Sequence, residues 1–581
     1  MSVPELMDSE LGSVEAPRRL DSKSGGGTVS GEMKRLETST IQSYGGQPGS
    51  LEQVRGAGRS ANELDVQAFG VSLNPPQGGG FDFSTFPSFL WWGYQNQVGV
   101  SSGSFDPRAN SGVLRLKPWT VEALEQPGSL GRFIQTFQPR RQTSGGTLAQ
   151  SRFAELAQTS AAYKSAQGQA ISAGYSAGKS QGPSGILSWQ WGEETRPVRG
   201  RVHFLGSNLL SEVTGPQSAR TPRATQRTAR AIPVVEVEAG SRSSVYYKSA
   251  FLMDALMIKN ENPDGAASAR TLSHSFQAGQ DSVLIVGDTK IAASAKTQSY
   301  EDLTTTRQTQ GVLQGQLSHL IRWQHHGALE PQIGIVSVSG YSVAPKVMLT
   351  WGAEPETMDR TYIRVSYSSK FPSLLDRYYQ SAFYSGNPDL KVERDWTFQT
   401  GLERQWRSDG QRFVFAPDGL FQWRRDAQVT SGYPTARNVG DSWLATARLR
   451  LEYQPDSLLE FGMNGARHSS RVVETGDPFP YQPRWTGLIY AEVHDDPIQE
   501  RWMGRLYGRG ATESMVTPGG ADLPDAWVMG VKADWVLSRD FNNLDVRLSL
   551  DVDNIWARSI EWVRDYPSEG RVWTLGLEAR F

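Results

Sequence analysis

The amino-acid sequence predicts a β fold: a transmembrane antiparallel β-barrel of about 22 strands, preceded by a smaller mixed α/β domain. Three observations carry this. The chain ends in strict alternation, with Trp573, Leu575, Leu577, Ala579 and Phe581 on one face of a strand and Thr574, Gly576, Glu578 and Arg580 on the other. Segments of this kind recur through the C-terminal half, with short turns at one end and long polar, aromatic loops at the other, as in an up-and-down barrel. No apolar run approaches the roughly 18 residues of a membrane helix. Yet 18 Trp, 19 Tyr and 22 Phe are enough to furnish two aromatic girdles.

In chain order, residues 1–28 are polar and close on Ser22-Lys23-Ser24-Gly25-Gly26-Gly27, which reads as a flexible arm. Residues 29–120 hold short apolar stretches among many Gly and Pro, as a small mixed α/β domain would. Residues 121–581 read as the barrel, roughly 460 residues at about 21 per strand with its connection. The alternation is less clean over 131–324 and cleanest after Thr361. Short turns fall at 407–410, 454–457, 495–498 and 539–543. Longer loops fall at 373–392, 430–441, 471–483, 516–524 and 559–570.

Single strands support the assignment. Trp527, Met529, Val531, Ala533, Trp535 and Leu537 share a face opposite Gly530, Lys532, Asp534 and Ser538. Leu544, Val546, Leu548, Leu550 and Val552 oppose Asp545, Arg547, Ser549, Asp551 and Asp553, and Trp443 to Tyr453 alternates in the same way. A charge on the lipid face at mid-bilayer costs roughly 2–4 kcal/mol, so segregation of this kind is expected of a membrane barrel. A half-buried soluble sheet also alternates. Soluble sheets rarely sustain strands of about ten residues with aromatics at both ends through successive hairpins.

Composition narrows the function. The net charge of -2 gives no support for nucleic-acid binding. With no Cys, disulfide frameworks, Cys-based zinc sites and thiol nucleophiles are excluded. The seven His are scattered, and His325-His326 lies near a short turn without the i,i+4 or acidic partners of a metal site. No Ser/His/Asp arrangement stands out. No catalytic residue, metal or cofactor is expected, and the chain does not read as an enzyme. Met1 to Met7 lack a basic region followed by an apolar core, so an exported barrel would have had its signal trimmed or lost by choice of start site.

Three stretches resemble the TonB-dependent outer-membrane receptors. Ser369-Lys370-Phe371-Pro372-Ser373-Leu374 followed by Gly386-Asn387-Pro388-Asp389-Leu390-Lys391-Val392-Glu393 is similar to that family's strand–loop–strand signature, with Val392 in place of the usual Pro. Asp553-Asn554-Ile555-Trp556 and the Phe-ended final strand are similar to its C-terminal pair. Val54-Arg55-Gly56, the run from Val71 to Pro87 and the run from Gly103 to Leu116 resemble its plug, in the right order. Two departures stand out: Phe69 replaces the usual Asp of an Asp-Gly turn, and 90–99 lacks the acidic and arginine residues expected there. Glu10-Leu11-Gly12-Ser13-Val14-Glu15-Ala16 resembles the family's energy-coupling box, so Glu10, Val14, Glu15 and Ala16 are candidate TonB-box residues.

The resemblance implies a 22-stranded barrel in the bacterial outer membrane, its short turns toward the periplasm and its lumen filled by the N-terminal plug. It implies active uptake of a scarce nutrient, a ferric siderophore, cobalamin or similar chelate, by a monomer driven through the inner-membrane TonB complex. A lumen of this width leaks unless filled, and an extended segment around Val14 and Ala16 could add as a strand to its partner. Plug–barrel ion pairs are expected between Arg55 and Glu393 and Glu403. Candidate ligand contacts are Gln77 and Gly79 at a plug apex, and Tyr378, Tyr379, Tyr384, Trp562 and Tyr566 on outer loops, where aromatics can stack on a chelate. The rival reading is a passive porin or structural barrel without energy coupling, against which about 120 residues of plug-like sequence speak.

Overall fold

A computed structural model describes residues 18–19, 33, 40–43, 52–55, 61–75, 80–86, 90–98, 112–118, 128–138, 154–164, 169–178, 180–191, 198–212, 225–239, 243–260, 269–286, 288–302, 307–323, 327–353, 359–379, 385–429, 435–495, 501–517, 522–541, 544–568 and 570–580. Among them the barrel strands run from Gly128–Gln138 to Val572–Arg580, each antiparallel to its neighbours. The last closes on the first, with Trp573 opposite Phe137 and Arg580 opposite Leu130. Gln308–His319 and Ile321–Arg322 form one strand interrupted at Leu320, so the 23 segments of the closed ring make 22 strands.

The distribution of polarity is that of a membrane barrel. Leu313, Ile335 and Ile489 project outward with 59–60% of their surface uncovered, while Arg364, Glu393, Asp395, Gln399 and Gln422 are buried inside. A soluble sheet would lose free energy on both counts; a barrel with lipid outside and a filled lumen gains on both. Toward the loop end, Trp396, Trp423 and Trp443 pair directly across three strands. Toward the turn end, Trp406 stacks on Phe413 at 5.4 Å. These rows are the two girdles.

Inside, a five-stranded sheet runs in the order Arg18–Arg19, Trp91–Val98, Gly112–Pro118, Leu64–Ala68, Val71–Ser72. Leu64–Ala68 and Gly112–Pro118 are parallel, which makes the sheet mixed. Arg18–Arg19, within the expected arm, adds to the edge of this sheet opposite Tyr94 and Gly93. A separate hairpin pairs Thr40–Ser43 with Glu52–Arg55. The described helical content of this domain is slight: the 3-10 turns Ala61–Glu63 and Phe83–Thr85, and a helical Met33.

The turn at Phe69-Gly70 places both residues at positive φ, 52° and 65°. That conformation suits Asp-Gly and strains a phenylalanine. The offset is a stack of Phe69 on the imidazole of His203 from the barrel wall, 4.3 Å between centroids.

The long loops are themselves folded. Gln428–Val429 pairs with Arg437–Asn438, Ser514–Met515 with Asp522–Leu523, and Ile560–Val563 with Tyr566–Ser568. Leu374–Tyr378 is a short helix capped by the Ser373 hydroxyl, which accepts from the Asp376 N–H at 3.0 Å.

Candidate functional site

The plug meets the barrel through two chemically different walls. On one side its apolar core does not stop at the domain boundary. Leu64, Val66, Leu73, Phe81, Phe86 and Trp91 form one buried cluster with Ile186, Leu205, Ile232 and Val234 of the wall. Polar contacts stitch the same side: the Ser207 hydroxyl donates to the Thr85 carbonyl at 2.9 Å, and Arg230 reaches the Leu73 carbonyl at 3.4 Å beneath the rings of Phe81 and Phe86. Asp82 organises the plug here. It accepts from the N–H groups of Glu52 and Ser84 and from the Ser84 hydroxyl. Burial holds its carboxyl above the usual carboxylate range, against the pull of those bonds and of Arg230.

On the other side the contact is ionic. Glu63 of the plug receives Lys370 at 3.1 Å and Arg424 at 2.9 Å, all three buried. Lys370 and Arg424 also face Glu393 at 3.9 and 3.7 Å, and Arg424 faces Asp395 at 3.9 Å. The Gln428 N–H donates to Glu393 at 2.6 Å. Two cations and three carboxylates are thus held together at the loop end of neighbouring strands, with one carboxylate supplied by the plug.

At the loop-end mouth, Arg55 donates to the backbone carbonyls of Pro480 and Tyr481, the former at 3.2 Å. The phenol of Tyr481 is bonded by the backbone of Arg564, and Tyr566 lies beside it; burial pushes both phenols above their ordinary value. Trp562 packs on Ala526, Val528 and Ile560 under the Arg509 guanidinium, 5.5 Å from its ring. Its hairpin, Ile560–Val563, rests against the plug strand Thr40–Ser43. Across the mouth, Arg377 lies over the rings of Tyr341 and Tyr378 at 5.2 and 4.7 Å. The loop end thus carries two aromatic and cationic groups, of which the Tyr481–Trp562 group rests on the plug.

Lower on the wall, Tyr362 lies across Gly401, Tyr490 across Gly462 and Tyr507 across Gly530, each directly opposite its glycine on the next strand. A Cβ on any of these glycines would overlap the ring. Each phenol ends on a wall carboxylate: Tyr362 on Asp418, Tyr490 on Glu460 at 2.8 Å, and Tyr507 on Asp551 and Asp553 at 3.3 and 3.2 Å.

The expected site residues are distributed as follows. Arg55 bonds the 480–481 loop, Glu393 lies in the charge cluster, and Glu403 pairs with Arg450 at 3.0 Å. Glu393 and Glu403 are ten residues apart on one extended strand, about 33 Å, so one guanidinium cannot serve both. Trp562 and Tyr566 share the Arg55 side of the mouth, and Tyr378 stands under Arg377; Tyr379 is engaged through its backbone, its carbonyl accepting from Gly386. Gln77, Gly79, Tyr384 and the coupling candidates Glu10, Val14, Glu15 and Ala16 lie outside the described residues. The sequence reading missed Glu63, Arg424 and Tyr481. Lys370 and Glu393 flank the quoted signature and could have pointed to a charge cluster.

Residues 322–555 match the family model described as TonB dependent receptor-like, beta-barrel. Among solved structures, the FrpB iron transporter of Neisseria meningitidis is similar at 12% identity and a TM-score of 0.76, over 97% of this chain and 99% of that one. The siderophore receptor PiuA of Acinetobacter baumannii is similar at 12% identity and 0.73, over 99% and 97%. The ferric enterobactin receptor PfeA of Pseudomonas aeruginosa is similar at 12% identity and 0.71, over 97% and 98%. No curated protein matches the chain. The fold defines a plugged barrel of the bacterial outer membrane. Residues 322–555 are similar to the barrel of the TonB-dependent receptors, and the whole chain shares the plugged-barrel fold of these solved structures. The loop end accordingly faces outward from the cell and the turn end the periplasm.

Proposed function

We propose that this chain is an energy-coupled transporter that carries a scarce chelated nutrient across the outer membrane, a ferric siderophore before a cobalamin. The carrying observation is the closure of the lumen by a folded domain, bonded to one wall by a shared apolar core and to the other by buried ion pairs. A passive porin needs an open lumen. A stopper held this firmly moves only when work is done on it, which calls for a partner such as TonB. The likeness to FrpB, an iron transporter, to PiuA, a siderophore receptor, and to PfeA, a ferric enterobactin receptor, supports an iron chelate as cargo.

In this reading ligand settles in the mouth between Tyr378, Tyr379 and Tyr384 on one side and Trp562 and Tyr566 on the other, above a plug apex carrying Gln77 and Gly79. Arg55 and Arg564 favour an anionic chelate. The protein works as a monomer and as a carrier, not a catalyst. Glu10, Val14, Glu15 and Ala16 serve as the grip for the partner. The test is a chain lacking 10–16, compared with the native chain for binding and for cellular uptake of iron-55 siderophores and labelled cobalamin. Binding is retained and uptake lost under this proposal; uptake that persists in the deletion rules out energy coupling through that segment.

A further inference from the structure

We infer that the membrane-facing rim of the strands between Glu393 and Trp485 is a binding surface for a phosphate-bearing lipid head group of the external leaflet. Trp396, Trp423 and Trp443 mark the outer membrane interface on three adjacent strands. Two residues further toward the loops, about 6–7 Å along each strand, Arg394 and Arg425 stand directly opposite one another. Both are exposed on the outer face, since their neighbours Glu393, Asp395 and Arg424 point inward and are buried. Like charges directly opposite on a sheet face repel. Arg425 has a distant carboxylate, Asp441 at 3.8 Å, while Arg394 has no ion pair among the described residues.

The basic band continues around the rim. Arg471 pairs directly with Trp443, and Arg467 spreads over the ring of Trp485 at 5.3 Å. Both are exposed on the same outer face. Arg394 and Arg425 above the row of indoles that fixes the depth, with Arg471 and Arg467 beside Trp443 and Trp485, form a surface of four guanidinium groups complementary to clustered phosphates. A guanidinium grips a phosphate bidentately, and the repulsion between Arg394 and Arg425 becomes an attraction once an anion lies between them. Dissolved ligand on its way to the lumen has no access to this face, so the occupant is lipid.

The experiment uses the full chain in nanodiscs of phosphatidylcholine and measures binding of fluorescent lipid A. The variant R394Q/R425Q is compared with the native chain and with R404Q, which removes an outward arginine at the turn end of the same strand. Migration on unheated gels confirms that each barrel is closed. The expected loss in R394Q/R425Q is about tenfold, with R404Q unchanged; a loss below about threefold, or an equal loss in R404Q, overturns the assignment. On the native chain, inorganic phosphate at matched phosphate concentration leaves lipid A binding unchanged. Full competition by inorganic phosphate overturns the choice of lipid as the occupant.

Discussion

Glu63 and Arg424 lie 2.9 Å apart although 361 residues separate them, one at a turn of the plug and the other near the end of a barrel strand. The pair is buried, so its strength depends on the charges around it, Lys370 on Glu63 and Glu393 and Asp395 beside Arg424. Glu63 is the one carboxylate of the set that the plug supplies, so its loss removes both ion pairs that join plug to wall here, and breaking buried pairs of this kind costs about 3–5 kcal/mol.

Glu63→Ala should therefore loosen the plug without harming the barrel. In planar bilayers the urea concentration at which potassium chloride current first flows through the protein should fall. An unchanged threshold would show that the ionic wall contributes nothing to retention.

The unlike walls predict an asymmetric release. Ion pairs can be exchanged for water with little net loss, whereas a continuous apolar core is costly to open. The chain has no Cys, so engineered pairs can be oxidised cleanly. T85C/S207C, oxidised, should still open in urea, because the bridge lies on the wall that stays attached. E63C/K370C, oxidised, should remain closed. Equal behaviour of the two would mean that the plug leaves as one rigid body.

Asp82 gives a pH dependence. Its carboxyl is raised above 3.8 in the native plug, so protonation favours the folded form. The stability it confers relative to Asp82→Asn is fully present below about pH 3.8 and is lost as pH rises through the native value. Amide exchange of residues 80–86 in the two proteins across pH 3.5 to 6.5 reads this directly. A difference that is flat with pH would count against it.

Ile489, 60% uncovered on the outer face, tests the membrane assignment. Ile489→Arg should cost about 2–4 kcal/mol in urea titrations of folding into vesicles. A near-neutral result would place that strand away from mid-bilayer.

The sequence made the second half of the barrel legible because its two faces meet different media. Trp527, Val531 and Trp535 face lipid while Lys532 and Asp534 face the lumen, and alternation follows. Over 131–324 the pattern blurs for a physical reason. Leu187, Phe204 and Val235 face lipid, but their neighbours Ile186, Leu205 and Val234 face the apolar plug, so both faces are hydrophobic. Alternation cannot report a strand that is buried on both sides. The charge cluster escaped because Glu63 and Arg424 meet only after the barrel has closed. Arg55 was legible as a plug contact, but backbone carbonyls such as those of Pro480 and Tyr481 leave no trace in residue identity.

The three tyrosines laid over Gly401, Gly462 and Gly530 bear on how large a cargo can leave. A ring pressed flat against the staves takes up almost none of the bore. A methyl group at any of those glycines would tip its ring toward the axis, making a constriction from a change confined to the wall. Calibre in this sector is therefore set by missing side chains, and three hydrogens hold the gauge open.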